Sequence, residues 1–137
     1  MIINLTQHKA TPDQIQAGVV DLPDDLRAGV CDLLTFDTAP IGVMMVQRAE
    51  GLLEIIREAQ KLPGSATRRV MIGGAPFFMS TLEVILLEAD LIPVYAFSRR
   101  ESEDQPQADG SVRKVQIFRH AGWVCACPPD PIEPGQE

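Results

Sequence analysis

No uninterrupted apolar run in these 137 residues approaches the roughly 20 needed to cross a bilayer, so a helical membrane protein is excluded. The N-terminal Met1-Ile2-Ile3-Asn4-Leu5 is too short for the apolar region of a secretory signal, and a cytoplasmic protein is expected. Basic residues are scarce: 12 Lys and Arg stand against 19 Asp and Glu, a formal charge of -7. Attraction to duplex nucleic acid or to an anionic membrane is thereby disfavoured, and an anionic ligand has to be met by a local basic cluster. Cysteine is sparse and odd in number, three in all, with Cys125 and Cys127 separated only by Ala126. That pattern describes neither a disulfide framework nor a zinc site, because His8 and His120 lie far from any cysteine pair with zinc-ligand spacing; reduced cysteines at a C-terminal strand end are expected. A Walker sequence and a complete dinucleotide fingerprint are both missing. No spacing of carboxylates or of cysteine with histidine points to a metal centre, Glu83 and Glu88 belonging to a helix face, so neither metal-dependent hydrolysis nor a cofactor is expected.

What is present suffices for one core, since 45% of residues are hydrophobic and 23% charged. Ile2 to Thr6 reads as a short buried strand, and Thr11-Pro12-Asp13-Gln14 is a capping box with proline at the first helical position. Val19 to Leu22 is a second apolar run, after which Pro23-Asp24-Asp25 opens a helix ending near Leu34. Between Gly42 and Lys61, Met45, Ala49, Leu52, Leu53, Ile56 and Ala59 recur at helical spacing until Pro63-Gly64 ends the pattern. Val70 to Ile72 is a central strand breaking at Gly73-Gly74, a helix follows from about Phe77 to Ala89, and Ile92 to Phe97 is a fourth strand. Val112 to Trp123 returns as a fifth, joined to the fourth by a polar segment with Pro106 and Asp109-Gly110, so a hairpin with a long mobile loop is expected.

This alternation predicts an α/β, Rossmann-like fold: a mostly parallel five-stranded sheet of order 2-1-3-4-5, with helices on both faces and an antiparallel C-terminal edge strand. Residues 1–127 form the single expected domain; residues 128–137, with four prolines and three acids, are expected to be a disordered tail. In that strand order the chain leaves strand one toward one side and strand three toward the other, which opens a crevice at their carboxyl ends.

Three groups of residues are directed to that crevice. Thr6-Gln7-His8-Lys9 is a dense run of donors ahead of a helix; either it touches a ligand, or Thr6 and Gln7 satisfy the loop backbone while His8 and Lys9 stand in water. Gly73-Gly74-Ala75-Pro76 lets a phosphate or ribose approach backbone amides at a helix N-terminus, although the same glycines serve a plain strand-to-helix turn. Ser98-Arg99-Arg100 leaves the fourth strand, with Arg113 and Lys114 opening the fifth, in the strongest positive cluster of an acidic chain. Guanidinium forks suit phosphate, and the competing use is pairing with Glu101, Glu103 or Asp104. His120 is expected at the opposite end of the sheet from Arg99, away from catalysis.

The stretch Met71 to Trp123 combines an apolar strand, the Gly73-Gly74 turn, a helix, Leu91-Ile92-Pro93-Val94-Tyr95-Ala96-Phe97-Ser98-Arg99-Arg100 and Gly110-Ser111-Val112-Arg113-Lys114-Val115-Gln116-Ile117-Phe118-Arg119-His120. With the opening Leu5-Thr6-Gln7-His8, Thr11-Pro12-Asp13-Gln14 and Asp21-Leu22-Pro23, it resembles small CRISPR-associated Rossmann-fold (CARF-like) proteins of the ring nuclease type. The resemblance implies a cyclic oligoadenylate ligand held at a dimer crevice and cut by in-line attack of a ribose 2′-hydroxyl, without metal, to switch off type III CRISPR signalling. It further implies that the Gly73-Gly74 turn and the cationic Arg99-Arg100 contact the phosphates. From their place at the crevice, Thr6, Gln7 and Ala75 are expected beside the ligand, with Ser98 or His8 assisting proton transfer next to the Arg99 cation. Two other classes stay open: a protein that senses or sequesters the nucleotide without cutting it, and an interaction protein whose apolar helix from Phe77 to Leu87 docks on another chain. That helix is apolar over more than one stripe, so a homodimer is expected.

Overall fold

The computed structural model describes residues 1–126. The tail expected at residues 128–137 and the end of the expected domain at Cys127 lie outside the described residues. The chain runs β1 (Ile2–Leu5), α1 (Pro12–Gln16), β2 (Val19–Val20), α2 (Asp24–Leu34), α3 (Gly42–Gln60), β3 (Arg69–Ile72), α4 (Pro76–Glu88), β4 (Ile92–Pro106) and β5 (Val112–Cys125). Local chemistry accounts for these bounds. The Thr11 side chain accepts from the Gln14 amide at 3.2 Å and the Gln14 side chain accepts from the Thr11 amide at 3.0 Å, closing the box that starts α1. In α3, Ala49, Leu52, Leu53, Ile56 and Ala59 are buried along one stripe. Just past the end of α4, Asp90 with a φ of 63° turns the chain left-handed, and the Leu91 amide donates to the Leu86 carbonyl at 3.0 Å.

The fold is mixed α/β, with one five-stranded sheet of order β2-β1-β3-β4-β5, parallel throughout except for antiparallel β5. Handedness distributes the helices. The connections β2 to β3 and β3 to β4 move the same way across the sheet, so right-handed crossovers put α2, α3 and α4 on one face; β1 to β2 moves back and puts α1 on the other. The first face holds the main core, in which Ile3, Leu5, Val70 and Ile72 meet Leu52, Ile56, Phe78 and Leu82. The second holds a smaller cluster of Ile2, Val19, Met71 and Val94, backed by Ala10 and Trp123. Since α1 is only five residues long, this second face keeps room for a ligand.

The hairpin differs from expectation. The polar segment after Phe97 is not a loop: β4 continues to Pro106, paired with β5 from Val94↔Cys125 to Pro106↔Val112. β3 covers β4 only as far as Val94, so the rest is a two-stranded ribbon extending about 30 Å from Ser98 to Pro106. From Ser98 to Pro106 every residue is exposed, so the β4 arm of the ribbon carries no apolar alternation and resembles a loop in sequence. The true turn is short. Gln107 N–H donates to Ser111 O at 2.8 Å and Gly110 supplies a φ of 85°.

Cys125 is disulfide-bonded while Cys31 is a free thiol, which corrects the expectation of reduced cysteines at this strand end. Cys125 is exposed at the end of the edge strand. Among the described residues no helix is long and apolar enough to cross a membrane.

Candidate functional site

Leu5 and Ile72 are register partners at the carboxyl ends of β1 and β3. Beyond them the chain parts, toward α1 on one face and α4 on the other, and leaves a crevice of about 580 Å³. Its walls are Thr6 to Lys9, Gly73 and Gly74, with Tyr95 and Ala96 of β4 beside them.

The first wall is built on a buried polar residue. Asn4 is 3% exposed within an apolar strand, and its whole amide is used. Nδ2 donates to the His8 carbonyl and to Asp21 Oδ1, each at 2.8 Å, while Oδ1 accepts from the Thr6 amide at 3.0 Å and from Thr6 Oγ1 at 2.7 Å. Asp21 Oδ1 also accepts from the Ala10 amide at 3.0 Å, so both ends of the loop are tied to one point. Gln7 reaches away, donating from Nε2 to Thr35 Oγ1 at 3.1 Å at the end of α2. Thr6 and Gln7 thus shape the loop with their side chains. His8 and Lys9 are exposed and project from it with no side-chain partner among the described residues.

The second wall is the β3–α4 turn. Gly74 has φ 154°, a backbone region that L side chains rarely adopt, and an added Cβ would stand 3.4 Å from Met79 Cε. α4 then opens at Ala75 with no side chain capping it, so the helix dipole and the amides ahead of Pro76 are left to solvent or a ligand. The third wall is pinned by Tyr95, whose hydroxyl donates to Glu83 Oε1 of α4 at 2.5 Å. Burial, followed by the hydrogen bond and charge of Glu83, raises the Tyr95 hydroxyl well above its ordinary range, so it stays a donor.

The crevice therefore gathers Thr6, Gln7, His8, Gly73 and Gly74, with Ala75 at its α4 corner. It does not gather the arginines. Because β4 does not stop at Phe97, Ser98, Arg99 and Arg100 are carried onto the ribbon. Ser98 lies in a second groove next to α1, Arg99 stands opposite Arg119, and Arg100 lies over the Phe118 ring with 5.5 Å to its centroid. Arg113 and Lys114 are farther out, opposite Gln105 and Asp104. Glu101 and Glu103 pair instead with Arg119, at 3.6 Å and 4.0 Å, a cation outside the expected cluster.

His120 is the other correction. It is the register partner of Ser98, at the crevice end of the sheet and not the opposite one, because residues 98 and 120 lie equally far from the turn at Gln107–Ser111. Asn4, Asp21 and Tyr95 had no part in the expected site. The one signal for Asn4 was an amide inside an otherwise apolar strand. Among the described residues, no three His, Cys, Asp or Glu side chains are grouped to hold a metal ion.

No curated protein and no solved structure matches the chain. Residues 1–124 match the model of a family described as the Uncharacterized protein MJ1673 family, and the chain belongs to that family.

Proposed function

We propose that this protein binds a cyclic oligoadenylate through its phosphates in the β1–β3 crevice and cleaves it by attack of a ribose 2′-hydroxyl, as a ring nuclease. The observation that carries the reading is the pairing of an uncapped α4 N-terminus behind Gly73-Gly74 with the free His8 and Lys9 on a loop locked by Asn4. Backbone amides and one cation in a rigid frame are what an in-line displacement by the ligand's own hydroxyl requires, since no water has to be activated. Lys9 supplies charge to the phosphate and His8 is within the same wall to move a proton. Both act from a loop held by the hydrogen bonds of Asn4 and Asp21.

The ligand's ring symmetry matches a two-fold assembly, and we place the contact between copies on the apolar patch where α3 meets α4. Met45 and Phe77 (53% exposed) line one groove there and Val46 and Val84 (53%) another, whereas α4 turns Phe78, Met79, Leu82 and Leu86 inward. Light scattering at micromolar concentration reads the dimer mass; a monomer mass rejects this surface.

The test of function is incubation with cyclic oligoadenylates of several ring sizes in excess EDTA, followed by mass analysis. Linear products ending in 2′,3′-cyclic phosphate are expected, with Lys9→Ala and His8→Ala slowing cleavage. Ligand that is bound but intact would favour a sequestering protein, and ligand neither bound nor cut would overturn the reading.

A further inference from the structure

Thr11 and Gln14, the two halves of the α1 capping box, line the crevice and also a second groove of about 410 Å³ between α1 and the root of the ribbon. The ribbon contributes Ser98, Phe118, Arg119 and His120 to that groove, and α1 adds Pro12 and Asp13. In an antiparallel pair, opposite residues share a face and alternate residues return to it. Ser98 with His120, and Arg100 with Phe118 one rung outward, therefore stand on one face, and Arg99 with Arg119 on the other.

His120 Nδ1 is a buried nitrogen with no hydrogen-bond partner, the one side-chain polar atom in that condition among the described residues. The ring is held at 4.6 Å from Trp123 with an interplanar angle of 56°, and its backbone N–H reaches Asp13 Oδ2 at 3.4 Å. With Nδ1 buried and unpartnered, the ring N–H is best placed on Nε2, which is not among the buried unpartnered atoms and is the nitrogen left to meet solvent or a ligand. The register shift at Phe97/Ser98 lies beside this pair, and such bulges re-aim side chains. Phe118, 66% exposed, has Arg100 over its ring.

We propose that the ribbon root is a second nucleotide subsite, which takes the next unit of the ligand with its base on Phe118 and its phosphate against Ser98, His120 and Arg100. The proposal rests on the crevice holding the first phosphate. From Tyr95 and Ala96 in the crevice wall to Ser98 is about 7–10 Å along β4, one nucleotide step. An exposed aromatic flanked by a guanidinium is a stacking platform, and a hydroxyl with an imidazole N–H gives the two donors a phosphodiester accepts.

The experiment is a calorimetric titration of the full chain with AMP and with the linear dinucleotide pApA, in wild type, Phe118→Ala and His120→Ala. Phe118 is exposed, so its removal tests the subsite without touching the core. Wild type is expected to bind pApA at least tenfold more tightly than AMP. Each variant should lose at least fivefold for pApA, the low end of one base stack, while its AMP affinity stays within twofold. Equal affinities for AMP and pApA in wild type, or unchanged pApA binding in both variants, would overturn the subsite. If wild type bound neither compound, the crevice reading itself would fall and the subsite with it.

Discussion

Replacing Asn4 is the sharpest test of how the crevice loop is held. In Asn4→Ala the Thr6 amide loses its acceptor, the Asp21 carboxylate loses a donor at 2.8 Å, and the His8 carbonyl keeps only Thr6 Oγ1 at 3.1 Å. A hydrogen bond to a charged group contributes about 1.5–3 kcal/mol and a neutral one about 1 kcal/mol, while each buried group left unpaired adds its desolvation cost. Because the bonds share partners they do not simply add, and the expected loss is about 3–5 kcal/mol, a large part of the stability of a domain this size. Urea unfolding followed by far-ultraviolet circular dichroism at pH 7 measures it. Asn4→Asp sharpens the test, since it sets a second carboxylate against Asp21. One carboxyl of that pair would bind its proton more tightly folded than unfolded, so this variant should gain stability as the pH falls from 7 toward 5, opposite to ordinary acid destabilisation. A loss below about 1 kcal/mol for Asn4→Ala, or no acid recovery for Asn4→Asp, would refute the claim that one amide sets the loop.

Three further outcomes follow from the same structure. The Tyr95 hydroxyl titrates above its unfolded value, so its contribution is complete below about pH 10 and declines as the pH rises beyond it; alkaline unfolding curves should lose that slope in Tyr95→Phe. Gly74→Ala should cost about 1–2 kcal/mol in thermal melts because of its φ, whereas at Gly73 the added methyl meets only Thr6 Cγ2 at 3.7 Å and Gly73→Ala should be neutral or slightly stabilising; equal costs would contradict the geometry. Arg48 donates to the carbonyls of Asp32, Leu33 and Thr35 at the end of α2 and covers the Phe36 ring at 4.5 Å, so Arg48→Met should lose about 2–3 kcal/mol by urea unfolding, and a change within 0.5 would show that α2 ends without it.

Strand order and helix placement were legible because each short strand is mostly apolar and the first two helices carry start signals, Thr11-Pro12 for α1 and Pro23-Asp24-Asp25 for α2. The crevice at the ends of β1 and β3 was legible for the same reason, since it depends on topology alone. The ribbon was not. Strand patterning reports burial of one face, and from Ser98 to Pro106 both faces meet solvent, so only the partner strand's backbone reveals the pairing. Every misplaced site residue follows from that: Ser98, Arg99, Arg100 and His120 all had their positions reckoned from a β4 that ended at Phe97. Asn4 went unread for a different reason. An amide in a strand announces a hydrogen-bond hub only when its partners, here on Asp21 and His8, are brought to it by folding.

The ribbon beyond the Phe97/Ser98 register shift also sets two clocks in the molecule. Its backbone pairs are supported by no third strand, and a two-stranded hairpin in water is marginally stable by itself. Amide protons from Arg99 to Arg119 should thus exchange through local opening that leaves β1 and β3 intact, while those of Leu5 and Ile72 exchange only when the whole domain unfolds. Any molecule lying between α1 and the ribbon root would be clasped by an element that opens and closes much faster than the core, and its residence time would be governed by how strongly it slows that opening.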